Sequence, residues 1–175
     1  MIIETERLFL REMQQSDYPS LCKILQDADV MYAYEGAFSG SETQEWLDKQ
    51  IRNYKNYGFG LWAVTLKTTG EMIGDCGLTM QAYKGGKILE IGYHLQKKYW
   101  HNGYAAEAAI ACKRYAFETL KADEVFSIIR DNNTASQNVA KRNGMTIIDT
   151  FVKHYRGIDM PHYLFSVKGS ILLFN

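Results

Sequence analysis

The sequence predicts a single α/β (α+β) domain, residues 1–175, with a mixed and mostly antiparallel sheet. Three observations predict this class. The chain has 175 residues, 46% of them apolar and only two of them proline, which suits one compact domain. No repeat or low-complexity tract divides it. Helical and strand hydrophobic periods both occur, with helices between only some strands, which argues against a doubly wound parallel sheet.

Composition and charge argue against several classes of function. Lys plus Arg and Asp plus Glu number 20 each, so the zero net charge gives no basic footprint for a nucleic acid. The three cysteines, Cys22, Cys76 and Cys112, have neither C-x-x-C nor metal-ligand spacing, which predicts reduced thiols and no metal. The N-terminus lacks a secretory pattern, and no apolar run has membrane-spanning length. We expect a cytoplasmic monomer or homodimer that binds neither nucleic acid nor membrane.

The first third of the chain predicts one strand and two helices. Alternation predicts the strand at 7–11. The first helix begins at Ser16-Asp17, because apolar residues recur at helical spacing as far as Ala28. The second begins at the capping box Ser41-Glu42-Thr43-Gln44, which precedes an apolar stripe at i, i+4 and i+7.

From Phe59 the hydrophobic period becomes two, which predicts an antiparallel meander. Thr69-Gly70 and Lys84-Gly85-Gly86 supply its turns. Its strands are predicted at 62–66, 72–80 and 88–95. The rest of the chain predicts a helix at 103–120, a strand at 125–130, a helix at 134–143 that ends at Gly144, and strands at 145–152 and 162–167 around the turn Arg156-Gly157.

A loop with a glycine joins the strand that ends near Leu95 to the helix that opens near Ala105. A helix N-terminus presents unpaired N–H groups beside the positive end of the helix dipole, which suits a phosphate. Small residues on this helix, from Ala105 to Cys112, would let it approach the sheet closely. The loop has neither the Walker nor the G-x-G-x-x-G pattern, so ATP and NAD are not implied.

Several ordered motifs resemble the GNAT superfamily of N-acetyltransferases, and most closely its RimJ/RimL-like branch of ribosomal-protein N-terminal acetyltransferases. The motifs are Glu4-Thr5-Glu6-Arg7-Leu8-Phe9-Leu10-Arg11, Trp62-Ala63-Val64, Gly70-Glu71-Met72-Ile73-Gly74, Glu90-Ile91-Gly92-Tyr93, Asn133-Thr134-Ala135-Ser136, Asn143-Gly144-Met145 and Arg156-Gly157-Ile158-Asp159-Met160-Pro161-His162. The resemblance implies a GNAT fold of about seven strands, splayed in the middle, with about four helices.

The resemblance also implies acetyl-CoA as cosubstrate and a primary amine as acceptor. The residues implied to bind acetyl-CoA are Tyr93, Leu95, Trp100, His101, Asn102, Gly103, Tyr104, Ala105, Ala106, Asn133, Ser136 and Ala140. Tyr93 and Leu95 would contact pantetheine through their backbone, and residues 101–106 would surround the diphosphate. The sequence departs from the family pattern at Trp100, and at His101, where a glycine is frequent.

Two residues are implied to be catalytic. Many GNAT enzymes have a tyrosine that acts as a general acid at the position of Ala140. The RimJ/RimL-like branch tends to use instead the serine that matches Ser136. Ser136 is therefore implied to donate a proton or hydrogen bond to the thiolate, or else it satisfies local backbone in the first helical turn. Glu90 is either a general base that acts through water or a paired strand carboxylate.

The acceptor stays open between a protein N-terminal α-amine and a small-molecule amine such as a polyamine, an amino acid or an antibiotic. An α-amine has a pKa of about 7.7–8.0 against about 10.4 for lysine, so it demands less of a base. A non-catalytic acyl-CoA-binding module is the remaining alternative. Three aromatic residues either shape the acceptor side or only pack: Tyr32, Tyr34 and Phe38. Two histidines near the acceptor end are either catalytic or oriented surface residues: His154 and His162. Cys112 is expected to be a buried core thiol.

Overall fold

The computed structural model describes residues 1–169 as one eight-stranded sheet with four helices. The strands are Ile3–Glu4 (β1), Leu8–Arg11 (β2), Leu61–Leu66 (β3), Met72–Tyr83 (β4), Gly86–Leu95 (β5), Glu124–Arg130 (β6), Thr146–Tyr155 (β7) and Ile158–Lys168 (β8). The helices are Tyr18–Leu25 (α1), Gly40–Tyr57 (α2), Tyr104–Glu118 (α3) and Thr134–Arg142 (α4). The strand order is β1-β2-β3-β4-β5-β6-β8-β7, and only β5 and β6 pair in parallel.

The predicted fold class is confirmed, with one strand more than expected. The extra strand is β1, which pairs Ile3 with Leu10 and Glu4 with Phe9 of β2. Two residues are too few to show a hydrophobic period, so alternation does not reveal this strand. Among residues 1–169, no helix is both long and apolar enough to cross a membrane.

The start of α2 and the end of α1 differ from the prediction, and α3 ends at Glu118, two residues before the predicted end. The capping box of α2 lies at Ser39, whose hydroxyl accepts the N–H of Glu42 at 3.2 Å while the Glu42 carboxylate accepts the N–H of Ser39 at 2.7 Å. The box thus begins two residues before Ser41. Helix α1 ends at Leu25 instead of continuing to Ala28, because Asp27 forms a turn in which its carboxylate accepts the N–H of Asp29 at 2.9 Å.

The sheet separates two hydrophobic cores, and β3 contributes to both because it is buried on both faces. Trp62 and Val64 belong to the core beneath α3, where Trp62 meets Tyr115 edge-on at 5.2 Å between ring centroids. Leu61 and Ala63 belong to the core beneath α1 and α2. Each face of the central strands therefore meets a different pair of helices.

A two-residue turn fixes the register of β4 against β5. Lys84 and Gly85 both have positive φ, 44° and 79°, which is the backbone of the tight hairpin turns that match strand twist. Tyr83 therefore pairs with Gly86, and the register continues without a shift to Gly74 and Leu95. Pairing between β5 and β6 is much shorter, since Glu90 opposite Phe126 is the one ladder position that they share within residues 1–169. Beyond it the two strands splay apart.

Candidate functional site

The splay opens a cavity of about 900 Å³ between β5 and β6. On one face of the sheet it is bounded by α2 and the loop between α1 and α2. On the other face it reaches the loop before α3 and the first turns of α4. The hairpin of β7 and β8 closes one side through Lys153, Tyr155 and His162. A volume near the upper end of ordinary ligand sites suits a large ligand that passes through the sheet.

Side chains satisfy the backbone where the strands part. The Ser127 hydroxyl donates to the Ile91 carbonyl at 2.8 Å, and the Glu90 carboxylate accepts the N–H of Ile128 at 3.2 Å. Past this point the β5 edge that faces the cavity, including Tyr93, has no ladder partner on β6 in the described part of the chain. Unpaired strand groups of this kind bind the amides of an extended ligand.

The loop before α3 has the backbone of an anion site. Gly103, the residue before α3, has φ 81°, and His101 has φ 62°, a region that favours glycine. The left-handed His101 explains why glycine is frequent at this position of the family pattern. The first N–H groups of a 15-residue helix follow at once, beside its positive dipole end. The backbone here fits a diphosphate.

The N-terminal segment clamps this loop to α3. Arg7 donates through Nη1 to the Asn102 carbonyl at 3.0 Å and through Nε to the Glu107 carboxylate at 2.7 Å, and its guanidinium lies 4.4 Å from the Tyr104 ring centroid. The Thr5 hydroxyl donates to Glu107 at 2.6 Å. Burial would raise the pKa of Glu107, but the bonds from Thr5 and Arg7 lower it overall. The opening motif thus acts at the loop, a role that its sequence does not reveal.

Helix α4 presents Ser136 to the cavity with its backbone already satisfied. Asn133 caps the helix, and its Oδ1 accepts the Ser136 N–H at 3.1 Å and the Tyr32 hydroxyl at 2.9 Å. The Tyr93 hydroxyl donates to the Ser136 carbonyl at 2.8 Å. Among residues 1–169, the Ser136 hydroxyl has no protein partner, so it is available to a ligand.

The structure brings most of the predicted site residues to one cavity. The wall includes Glu90, Tyr93, Leu95, Trp100, His101, Gly103, Tyr104, Ala105, Ala106, Asn133 and Ser136. Asn102 and Ala140 are not part of it. The Asn102 side chain braces the loop by donating to the Trp100 carbonyl at 2.8 Å, and Ala140 is buried in the core beneath α3. Any contact of Asn102 with the diphosphate would therefore come from its backbone.

The other singled-out residues occupy different settings. Cys112 is buried, as expected, with its sulfur 3.5 Å from that of Cys76, and burial raises the pKa of Cys76. His162 lines the cavity, and burial lowers its pKa. His154 also lines it, but its exposed ring lies against Asp159 at 2.9 Å. Within residues 1–169, no three His, Cys, Asp or Glu side chains lie together as a metal site would require.

A buried polar chain on the α1–α2 face is the feature that sequence reasoning missed. His94 lies between Asp75, 2.8 Å from its Nδ1, and Tyr34, whose hydroxyl is 3.1 Å from its Nε2. The contact between His94 and Asp75 follows from a sequence feature. With Lys84 and Gly85 as the two turn residues, the antiparallel register of β4 and β5 places Asp75 opposite His94. Tyr34 comes from a distant loop, so no sequence pattern joins it to the pair.

Residues 7–146 match the sequence model of the acetyltransferase (GNAT) domain. The chain belongs to the GNAT acetyltransferase family. GNAT acetyltransferases use acetyl-CoA and bind an amine acceptor. The chain is accordingly an N-acetyltransferase of this family.

Known proteins resemble this GNAT chain over nearly its whole length. YkkB of Bacillus subtilis (strain 168) is 39% identical over 150 residues, which cover 85% of this chain and 87% of that protein. The crystal structure of a GNAT-family acetyltransferase from Bacillus anthracis has a TM-score of 0.82 at 26% identity and covers 96% of this chain and 98% of its own. RimL, a ribosomal L7/L12 α-N-protein acetyltransferase solved with coenzyme A, has a TM-score of 0.76 at 20% identity and covers 95% and 97%, a likeness of fold.

Proposed function

We propose that this chain transfers an acetyl group from acetyl-CoA to a primary amine, with the donor on the α3–α4 face of the splay and the amine on the α1–α2 face. One observation carries the proposal: a single cavity joins the anion-binding loop, the unpaired edge of β5 and a free serine hydroxyl to a separate polar and aromatic wall. We further propose that the protein works in the cytoplasm, where the thiols of Cys22, Cys76 and Cys112 stay reduced.

Each part of the donor side has a proposed task. Bound acetyl-CoA supplies a thioester whose acetyl group an amine attacks directly in a ternary complex. The backbone N–H groups of residues 101–106 hold the diphosphate, and the backbone of Tyr93 and Leu95 holds the pantetheine arm. The Ser136 hydroxyl donates a hydrogen bond toward the sulfur, where negative charge grows as the thiolate leaves. Trp100 fixes the start of the loop by donating from Nε1 to the Leu95 carbonyl at 3.0 Å.

Glu90 is proposed to act as a paired strand carboxylate. Its oxygens accept the Thr79 hydroxyl at 3.1 Å and the Ile128 N–H at 3.2 Å, which ties β4, β5 and β6 together at the splay. Burial raises the pKa of Glu90, against the lowering effect of Lys153. A carboxylate held this way attracts a cationic amine to the cavity, while its hydrogen bonds compete with proton transfer.

The first candidate acceptor is a protein N-terminal α-amine. The fold likeness to RimL, named as an α-N-protein acetyltransferase, and the low pKa of α-amines support it. A thin small-molecule amine is the second candidate, because the loop between α1 and α2 covers the acceptor end of the cavity. The Tyr32 hydroxyl bonds Asn133 at 2.9 Å, and Glu35 pairs with Arg130 across the splay. A loop fixed over this end of the cavity favours a thin acceptor over a folded protein surface.

An amine panel tests the proposed function. The purified protein and acetyl-CoA are incubated with peptides of different N-terminal residues, the same peptides with blocked N-termini and an internal lysine, and small polyamines. Thiol release gives the rate, and mass spectrometry identifies the acetylated amine. We expect a free primary amine to be acetylated, and preference for an unblocked peptide supports the first candidate. Folded protein that binds CoA but acetylates no member of a broad panel would contradict the proposal.

A further inference from the structure

The α1–α2 face of β4 and β5 carries three consecutive cross-strand pairs with different chemistry. Thr79 lies opposite Glu90, Gly77 opposite Gly92, and Asp75 opposite His94. A Cβ at Gly77 would lie 2.1 Å from the Gly60 carbonyl oxygen, so no side chain fits there. Gly92 lines the cavity, and a Cβ there would lie 3.5 Å from its nearest neighbour, Leu61 Cδ2. The two glycines leave an open floor between Glu90 and His94.

The hydrogen bonds of His94 define a direction for a proton. Asp75 is fully buried, and its Oδ1 lies 2.8 Å from His94 Nδ1. A carboxylate accepts hydrogen bonds, so Nδ1 carries the hydrogen of the neutral ring and Nε2 is left as an acceptor. The Tyr34 hydroxyl, 3.1 Å from Nε2, is then the donor. The phenolic oxygen keeps lone pairs that can accept a hydrogen bond from a ligand in the cavity, which Tyr34 lines.

Aromatic side chains and one ion-pairing arginine hold Tyr34 and His94 in place. Trp46 meets the His94 ring edge-on at 5.6 Å between centroids, and Phe38 meets both Tyr34 at 6.2 Å and Trp46 at 5.9 Å. Arg130 donates to the Ala33 carbonyl at 3.4 Å and so ties the turn that carries Tyr34 to β6. A fixed and mostly buried setting, with the Asp75 side chain fully buried and that of His94 10% exposed, suits a proton-transfer group.

We propose that Tyr34, His94 and Asp75 form the path that takes the proton from the acceptor amine. This inference rests on the proposed function and deepens it. The amine nitrogen gives a proton to Tyr34 Oη as Tyr34 gives its own proton to His94 Nε2, and the amine keeps the electron pair with which it attacks. The resulting imidazolium is neutralised by Asp75. Tyr34 is the catalytic residue, while His94 and Asp75 act through it as positioning residues.

The charges around His94 suit this task. Burial lowers the pKa of His94, but Asp75, with a smaller contribution from Glu90, raises it overall above its ordinary value. Burial, followed by the charges of Glu90 and Asp75, raises the pKa of Tyr34, so the phenol stays protonated and passes a proton on instead of ionising. The path works when His94 is neutral. Activity should therefore rise as pH increases through the pKa of His94.

Three variants separate this path from the Glu90 alternative. Tyr34→Phe and His94→Gln should lower kcat/KM on the order of a hundredfold or more near neutral pH and remove the His94 inflection from the pH profile. Their loss should shrink at high pH as free amine becomes abundant, while CoA affinity stays unchanged. Glu90→Gln should keep the inflection. An inflection that survives in His94→Gln and disappears in Glu90→Gln would overturn the inference.

A second readout needs no turnover. In protein labelled with ¹⁵N at histidine, NMR titration should give His94 a pKa above its ordinary value, and Asp75→Asn should lower it. Tyr34→Phe removes one hydroxyl from the structure, so it should fold even where a buried Asp75 variant does not, and it should shift the Nε2 resonance. A His94 pKa that is ordinary and an Nε2 resonance that Tyr34→Phe leaves in place would refute the path. Failure of the wild type in the amine panel would refute the proposed function. The His94 titration tests the hydrogen bonds of Tyr34, His94 and Asp75 independently of turnover.

Discussion

At the scale of single residues, Ser136 is oriented by its own backbone. Its N–H is held by Asn133 at 3.1 Å and its carbonyl by the Tyr93 hydroxyl at 2.8 Å. Both contacts come from residues of the same cavity wall. A side chain whose main chain is fixed from two directions loses little further freedom when it binds a ligand. This arrangement favours a hydroxyl that acts on the reaction over one that only caps a helix.

Ser136→Ala should lower turnover on the order of a hundredfold, because a donor aimed at growing negative charge acts mainly in the transition state. CoA affinity should change little. Thr134→Ala, an exposed position in the first turn of the same helix, is the matched control and should keep full turnover. The measurement is the initial rate of thiol release at saturating substrates. Wild-type turnover in Ser136→Ala would leave water or a tyrosine as the proton source.

At the scale of secondary-structure elements, the segment that joins β1 and β2 controls the loop that precedes α3. Arg7 bridges the Asn102 carbonyl and Glu107, so it links the loop to the first turn of the helix. Four residues along, Arg11 pairs with Asp17 through two bonds of 2.7 Å and holds the start of α1 instead. The two arginines thus have the same chemistry but hold different elements: Arg7 holds the loop before α3, and Arg11 holds the start of α1.

Arg7→Ala should weaken CoA binding several-fold, because the loop backbone must stay positioned to meet a diphosphate. Arg11→Ala should leave CoA affinity unchanged while it lowers the free energy of unfolding. Calorimetric titration of CoA into both variants, with thermal unfolding of each, measures the difference. Equal CoA affinities in Arg7→Ala and Arg11→Ala would show that the N-terminal segment does not support the loop.

The Arg11–Asp17 pair also predicts a pH dependence. Burial would raise the pKa of Asp17, but Arg11 and the N–H of Gln14 lower it overall. A carboxyl whose pKa falls on folding contributes stability above its unfolded pKa of about 3.9, and this contribution is lost as pH falls through the lower folded pKa. The stability gap between wild type and Arg11→Ala should therefore be widest near neutral pH and narrow in acid, as chemical denaturation at each pH would measure. A gap that widens in acid would contradict this assignment.

At the scale of the whole molecule, the sheet separates the two faces that we propose for the donor and the acceptor. Adjacent residues of β5 point to opposite faces: Tyr93 bonds Ser136 of α4, and His94 bonds Tyr34 of the α1–α2 loop. The acetyl group must therefore meet the amine where β5 and β6 splay. In the proposed arrangement, the cofactor and the acceptor therefore have separate sets of contacts.

Sequence patterns predicted most of the fold because hydrophobic period and turn residues act locally. Alternation located the meander, and Lys84-Gly85 set its register. The loop around Gly103 was predicted from its glycine and the helix behind it. The contact of Tyr34 with His94 joins residues 60 positions apart, and that of Arg7 with Glu107 joins residues 100 apart. Contacts of this range depend on how elements pack, which no local period encodes.

CoA should raise the melting temperature, because a ligand that binds only the folded state stabilises it by mass action. At a hundred times its Kd the ligand adds about 2.7 kcal/mol, which corresponds to roughly 5–10 °C for a domain of this size. Thermal unfolding with and without CoA checks this. A folded protein whose melting temperature does not respond to saturating CoA would contradict the proposed cofactor site.

The central claim is that donor and acceptor bind opposite faces of the splay, and CoA affinity in two variants tests it most directly. Gly103→Val forces a β-branched residue into a left-handed backbone, φ 81°, 3.5 Å from Arg7, so it should weaken CoA binding at least tenfold. Phe38→Ala removes an aromatic ring from the acceptor wall, so it should raise the KM of the amine and leave the Kd of CoA unchanged. Titration calorimetry of CoA into each folded variant gives its Kd for CoA, and initial rates give the KM of the amine. A CoA affinity that falls in Phe38→Ala and holds in Gly103→Val would show that the two faces have been assigned the wrong way round.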